Sequence, residues 1–182
     1  MIELIGFDTG SSGTSGRIFV DTTIGDGCLQ LVYRWKNGSA APILQARSTK
    51  PQRRDELWRS TCAEIFVALD GETYTGGPYL EFNFSPTGDW AAYRFDATRT
   101  GMRAHIWQGN EAPRVSLTDS SEGFTMEVLL PLAALSAGSH PVAYASVIET
   151  SKGLSYWALK HPTDRPDFHH PQSFAALLEL PA

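Results

Sequence analysis

Positive charge is scarce and scattered in this sequence: no basic run is longer than Arg53-Arg54, and the formal net charge is −5. That argues against nucleic acid as a partner, because phosphate recognition needs a concentrated positive field. Polybasic attachment to a membrane fails on the same ground. Long apolar runs are missing too, with no segment near the roughly 20 apolar residues of a membrane span. The opening stretch MIELIGFDTGSSGTSGR puts Glu3 and Asp8 where an export signal would carry positive charge, so a cytoplasmic protein is expected. Cysteine is rare: only Cys28 and Cys62 occur, both in strand-like stretches, and buried reduced thiols are expected rather than a disulfide. Helical periodicity is nearly absent. Only LAALSAG (132–138) reads as helix, and it is too short to be more than a connector.

What remains is β. At 182 residues, 42% hydrophobic and 19% charged, the chain suits one domain with a sizeable core. Period-2 or compact apolar stretches predict strands over 28–35, 62–69, 79–86, 90–96, 103–108, 114–120, 123–131, 142–150, 155–160 and 174–180. Turn signals such as NGS, DGE, GGP, SPTGD, SEG and SKG separate them. Hairpin spacing without intervening helices points to an antiparallel β-sandwich, with a β-barrel as the alternative. The stretch 37–58 holds neither period and reads as a long connection.

Side-chain parity supplies the first functional clue. Glu64 alternates with Ile65, Val67 and Leu69; Glu81 and Asn83 alternate with Leu80, Phe82 and Phe84; Arg94 alternates with Tyr93 and Phe95. If these strands are hairpin neighbours, Glu64, Glu81, Asn83 and Arg94 form a polar belt on one sheet face. Such a belt is either a solvated outer face with cross-strand pairs or a concave face that meets a ligand's hydroxyls. Trp58, Trp90, Trp107 and Trp157 lie at or near strand ends, with Trp35 closing the first strand. Two facing rings over the belt would stack on a sugar.

Three segments, DELWRSTCAEIFVAL, YLEFNFSPTGDWAAYRFD and YWALKHPTDRPDFHHPQSF, resemble the DOMON-like domains related to family 9 carbohydrate-binding modules. The likeness is order-preserving and spans 28–180; its W-x5-E-I-F core runs from Trp58 to Phe66, and the ALKHP…PDFHHP ending is similar to a bacterial stand-alone subgroup. The resemblance implies a β-sandwich with a ligand near a concave face. In the sugar-binding branch aromatic rings clamp a terminal sugar, which would map to Trp58 and Trp157; other branches bind haem. Two departures stand out. Family 9 modules are usually appended to secreted glycosidases, and a sugar clamp has no need of a His/Asp loop.

That loop, ALKHPTDRPDFHHPQSF (158–174), holds three histidines, two aspartates and three prolines. Pro162, Pro166 and Pro171 make it stiff and non-helical. His161, Asp164, Asp167, His169 and His170 are metal-ligand types without a standard spacing such as H-E-x-x-H. A loop histidine paired with Met102 or Met126 is the form haem ligation would take, but no C-x-x-C-H is present. His161 or His169 beside Glu64 would supply acid–base chemistry to an enzyme acting on a small hydrophobic or phenolic molecule, although no nucleophile elbow accompanies them. The plainest reading is scaffold: a stiff loop that closes the fold and forms the rim of a pocket. The expected function is therefore a non-catalytic module for a carbohydrate or other polyhydroxylated small molecule, needing no cofactor. Its expected contacts are Trp58, Glu64, Glu81, Asn83, Arg94, Trp157, Lys160, His161, Asp167 and His169.

Overall fold

The structure, a computed structural model, describes residues 1–7, 16–109 and 111–181. Asp8, noted above for its charge, lies outside these residues. Twelve strands follow one another: β1 Ile2–Gly6, β2 Arg17–Gly25, β3 Cys28–Lys36, β4 Cys62–Ala68, β5 Tyr79–Phe84, β6 Trp90–Phe95, β7 Arg103–Ala104, β8 Arg114–Ser120, β9 Gly123–Pro131, β10 Gly138–Thr150, β11 Gly153–Ala158 and β12 Ala176–Leu180. No α-helix occurs among the described residues; the expected helical connector is the 3-10 turn Leu132–Ala134.

All pairings between these strands are antiparallel, and the order β7-β6-β5-β4-β10-β11-β1-β2-β3-β9-β8 forms one curled sheet folded onto itself as a sandwich. β1 is the hinge between layers, pairing with β2 through Ile2–Leu4 and with β11 through Ile5 and Gly6. The path is open, ending at β7 and β8, so the barrel alternative falls away. β1 and β2 went unanticipated, although RIFVDTTIG is rich in β-branched residues. The expected strand 103–108 shrinks to Arg103–Ala104. Its continuation pins itself by side chains instead: His105 Nε2–H donates to the Ala134 carbonyl at 2.8 Å, and Trp107 packs against Trp90.

Strict alternation builds the core from both layers. Leu29, Leu31, Tyr33 and Trp35 of β3 meet Ile65 and Val67 of β4 and Phe82 and Phe84 of β5, all buried. Tyr33 crosses the sandwich and donates its hydroxyl to the Glu64 carbonyl at 2.6 Å. This bond fixes β4, and with it the Glu64 side chain on the far face. Cys28 and Cys62 are buried and unpaired.

The far face of β4–β6 is not the solvated surface a polar belt would suggest. A second apolar cluster covers it, joining Phe66, Tyr79, Tyr93 and Phe95 of the sheet to Tyr74, Phe168 and Phe174. Phe168 and Phe174 come from the proline-rich loop, which lies across this face rather than capping one end.

The connection 37–58 runs along the other border, held by Ile43 N–H to Glu149 O and Arg54 N–H to Trp90 O, and ends in the 3-10 turn Leu57–Arg59.

Candidate functional site

The register decides which side chains share the covered face. Glu64 pairs with Asn83, Phe66 with Glu81, and Ala68 with Tyr79; across the next pairing Asn83 meets Ala91, Glu81 meets Tyr93 and Tyr79 meets Phe95. On the other flank Glu64 pairs with Ala145, which pairs with Ala158. Over this face lies a cleft of about 740 Å³ with Glu64, Glu81 and Val147 on its floor. Trp58, Phe95, Tyr156, Phe168, Leu154, Pro166 and His169 form its walls, and Arg59, Arg99 and Met102 complete the lining. A depression of about 830 Å³ near the N-terminus is larger. Its acids are already engaged, Asp21 by Arg34 and the N-terminal amine and Glu179 by the Ser139 hydroxyl, and no buried unpartnered polar atom lines it. The chemistry is in the smaller cleft.

Glu64 is 3% exposed and its Oε1 has no hydrogen-bond partner. Glu81, 4% exposed, accepts from Asn83 Nδ2 at 2.7 Å, while Asn83 Oδ1 is left unpartnered. Burial pushes the Glu64 carboxyl well above the usual carboxylate range, and Glu81 beside it adds to the effect. Burial also raises Glu81, to about 7, against the opposing pull of the Asn83 amide and of Arg99.

His169 is held from behind. The Arg99 N–H donates to Tyr79 Oη at 3.3 Å, so the Tyr79 hydroxyl is left to donate to His169 Nδ1, 2.6 Å away. The hydrogen-bond network thus assigns the ring proton to Nε2, which lies 3.9 Å from Glu81 Oε2. Burial first, and Arg99 second, lower His169 to about 4. The His169–Glu81 approach is therefore a contact between two neutral groups near pH 6, not an ion pair.

The rim arginines have their own acids. Arg99 Nη2 lies 2.7 Å from Asp167 Oδ1, and Arg59 Nη2 lies 2.8 Å from Glu56 Oε1. Arg99 and Glu56 both adopt left-handed backbone angles, φ 56° and 62°, uncommon for residues other than glycine. Gly101 completes the Arg99 turn at φ +69°, where a Cβ would stand 2.2 Å from Asp96 Oδ2.

Of the residues expected from sequence, Trp58, Glu64, Glu81 and His169 meet in this cleft, with Asn83 beneath them. Asp167 sits one step back, holding Arg99 and accepting the His169 N–H at 3.1 Å. Arg94 does not join them. It pairs with Leu80, hence shares the core-side face, and emerges at the border beside Arg103 and close to His105. Trp157 also faces inward: it is 3% exposed, edge-on to Trp35 at 5.2 Å, with its Nε1–H on Ser155 Oγ. A core tryptophan cannot be half of a sugar clamp. Lys160 and His161 open onto a separate depression beyond the loop, where His161 Nε2–H donates to Ile5 O at 2.8 Å.

The loop's other polar groups are similarly dispersed: His170 Nδ1 accepts the Gln172 N–H and caps the 3-10 turn Pro171–Ser173, and Asp164 is exposed. No group of three or more His, Cys, Asp or Glu among the described residues is placed to hold a metal ion. Met126 is sealed in the core at 1% exposure, whereas Met102 shares the cleft with His169. With Nδ1 taken by Tyr79 and Nε2 turned to Glu81, His169 does not fit axial ligation of haem.

Arg59, Arg99, Phe95, Tyr156 and Phe168 were missed. Only the β5–β6 register reveals Phe95, and only the β10–β11 register reveals Tyr156.

No protein-family model matches the sequence, and no curated protein does. Among solved structures, the fold is similar to a family 9 carbohydrate-binding module from Caldicellulosiruptor kristjanssonii in complex with glucose. The TM-score is 0.50 at 12% identity, over 94% of this chain and 80% of that one. A family 9 module from the same organism in complex with cellotriose aligns with a TM-score of 0.49 at 12% identity, over 93% of this chain and 77% of that one. At this identity the likeness establishes the all-β architecture over most of the chain.

Proposed function

We propose that this chain is a carbohydrate-binding module whose cleft takes a sugar or other polyhydroxylated small molecule, and that its kinship lies with the DOMON-like relatives of family 9 modules. The observation that carries the reading is the buried Glu64 carboxyl on the cleft floor, its Oε1 unpartnered next to the unpartnered Oδ1 of Asn83. A buried polar group left without its hydrogen bond costs about 1–3 kcal/mol. Ligand hydroxyls, which donate and accept, would recover that cost at Glu64, which lines the cleft. Trp58, edge-on to Tyr93 at 5.9 Å, offers an aromatic wall beside them. The structurally similar module from C. kristjanssonii is in complex with glucose, which agrees with this ligand class.

Calorimetric titration with glucose, cellobiose and cellotriose tests the reading. Binding in the millimolar range or tighter is expected, and Trp58→Ala should abolish it while the domain stays folded. If none of these sugars, nor any on a glycan array, binds at millimolar concentration, the proposal fails.

A further inference from the structure

We infer that the ligand of this cleft carries a protonated amine as well as hydroxyls, the amine seated on Glu64 and Glu81. The inference rests on the cleft being the ligand site proposed above. The cleft's ion pairs lead to it. Both rim guanidiniums are engaged by acids of the rim itself, Arg99 by Asp167 and Arg59 by Glu56. The two floor carboxyls have no such partner: Glu64 forms no ion pair, and the nearest basic group to Glu81 is the His169 ring at 3.9 Å. Two acids, each less than 5% exposed, are thus buried side by side with no lysine or arginine of the described residues in contact. Burying charge in that way is strongly unfavourable unless a counter-charge arrives.

An ammonium group meets the floor's needs more fully than a hydroxyl does. It brings three N–H donors and a positive charge to a floor holding Glu64 Oε1 and the Glu81 carboxyl. The walls agree, since Trp58, Phe95, Tyr156 and Phe168 supply aromatic rings, whose faces attract cations. The other titratable groups around the pair are Cys62 on the same strand, Tyr79 on β5, Tyr93 on β6, Tyr156 on β11, Tyr33 from the opposite layer, and His169, Asp167, Arg99 and Arg59 from the covering segments. Seating the amine draws the proton off the floor carboxyls into solvent, so binding strengthens as pH rises towards neutrality.

Calorimetry on the intact chain near neutral pH, with glucosamine, N-acetylglucosamine, glucose and ethanolamine in phosphate and in MOPS, decides the matter. Glucosamine should bind at least about tenfold more tightly than glucose or the N-acetyl form, as a charge-assisted bond requires. Its apparent enthalpy should differ between the buffers because a proton is released, and Glu64→Gln should bring glucosamine to within about twofold of glucose. The wild-type comparison stands without that variant if it does not fold. Equal affinity for glucose and glucosamine would overturn the amine and leave the sugar reading standing. Ethanolamine binding without any of the sugars would do the reverse, and no binding by any of the four would overturn both.

Discussion

Replacing Glu81 with glutamine should stabilise the domain, and only above pH 5. Burial holds the Glu81 carboxyl at about 7 in the folded chain, against 4.5 for a free side chain. Between those values the folded state binds the proton more tightly than the unfolded chain, so stability falls as pH rises through the window. At about 1.36 kcal/mol per pH unit the full loss is about 3 kcal/mol, complete above pH 7. The wild-type curve alone will not show it. His169, lowered from 6.5 to about 4, works the other way: the unfolded chain holds its proton more tightly, so stability rises between pH 4 and 6.5 by a similar amount. The two slopes offset each other over most of the window. The difference between Glu81→Gln and wild type removes His169 and leaves the Glu81 charge, together with its push on Glu64. Glutamine keeps the oxygen that accepts from Asn83 Nδ2. Urea unfolding should give matching midpoints near pH 4.5 and a variant more stable by about 3 kcal/mol at pH 8, roughly 1.5 M in midpoint for a slope near 2 kcal/mol/M. A difference that stays flat from pH 4.5 to 8 would refute the buried, unpaired carboxyl.

The two tryptophans assigned to a clamp by resemblance should separate cleanly. Trp157→Ala should lower stability by about 3–5 kcal/mol, as for a large core ring, whereas Trp58→Ala should leave the urea midpoint nearly unchanged and remove ligand binding. Proton NMR should find His169 titrating near pH 4, and Tyr79→Phe, which deletes the donor to Nδ1, should change the ring's 15N tautomer pattern; a wild-type value near 6.5 would contradict the buried geometry. Cys28 and Cys62 should react with a thiol reagent only after denaturation, since both are buried and burial raises the Cys62 thiol well above its usual range.

Alternation made the inner face legible. Ile65, Val67, Leu80, Phe82 and Phe84 were assigned to the core by parity and lie there, with Glu64, Glu81 and Asn83 opposite. Arg94 was lost because parity within a strand says nothing about parity between strands. The β5–β6 register pairs Glu81 with Tyr93, so even-numbered Arg94 falls on the side of Leu80 and Phe82. At a border strand its long stem can lie along the core edge while the charge reaches water, so polarity misleads there. Trp157 was assigned to the clamp by resemblance rather than by its neighbours, and its pairing with Ser146 turns it inward. The loop's place over the sheet was not legible at all. Nothing local shows that Phe168 and Phe174 settle on Phe66, because that contact joins segments about a hundred residues apart.

A structural account of the floor carboxyls would have to treat them like the other acids of the chain, and the comparison goes against it. Glu3 leans on Arg17, Asp21 on the N-terminal amine and Arg34, and Asp55 on Tyr93 and Arg53; each is held below its ordinary value. Those contacts are what surface acids gain from folding. Glu64 and Glu81 are displaced the other way, by burial, and folding destabilises their charged forms. A hydrophobic pair at these positions would extend the cluster of Phe66, Tyr93 and Phe95 without that penalty. The loop could have sealed the hollow as it seals the rest of this face, yet the cleft above Glu64 and Glu81 stays unfilled. Acids kept unpaired, a hollow kept unfilled and an aromatic wall turned towards both make sense together only when something else fills the cleft and supplies their partners. Occupancy should therefore raise the unfolding midpoint, and a ligand that binds without doing so binds the unfolded chain as well.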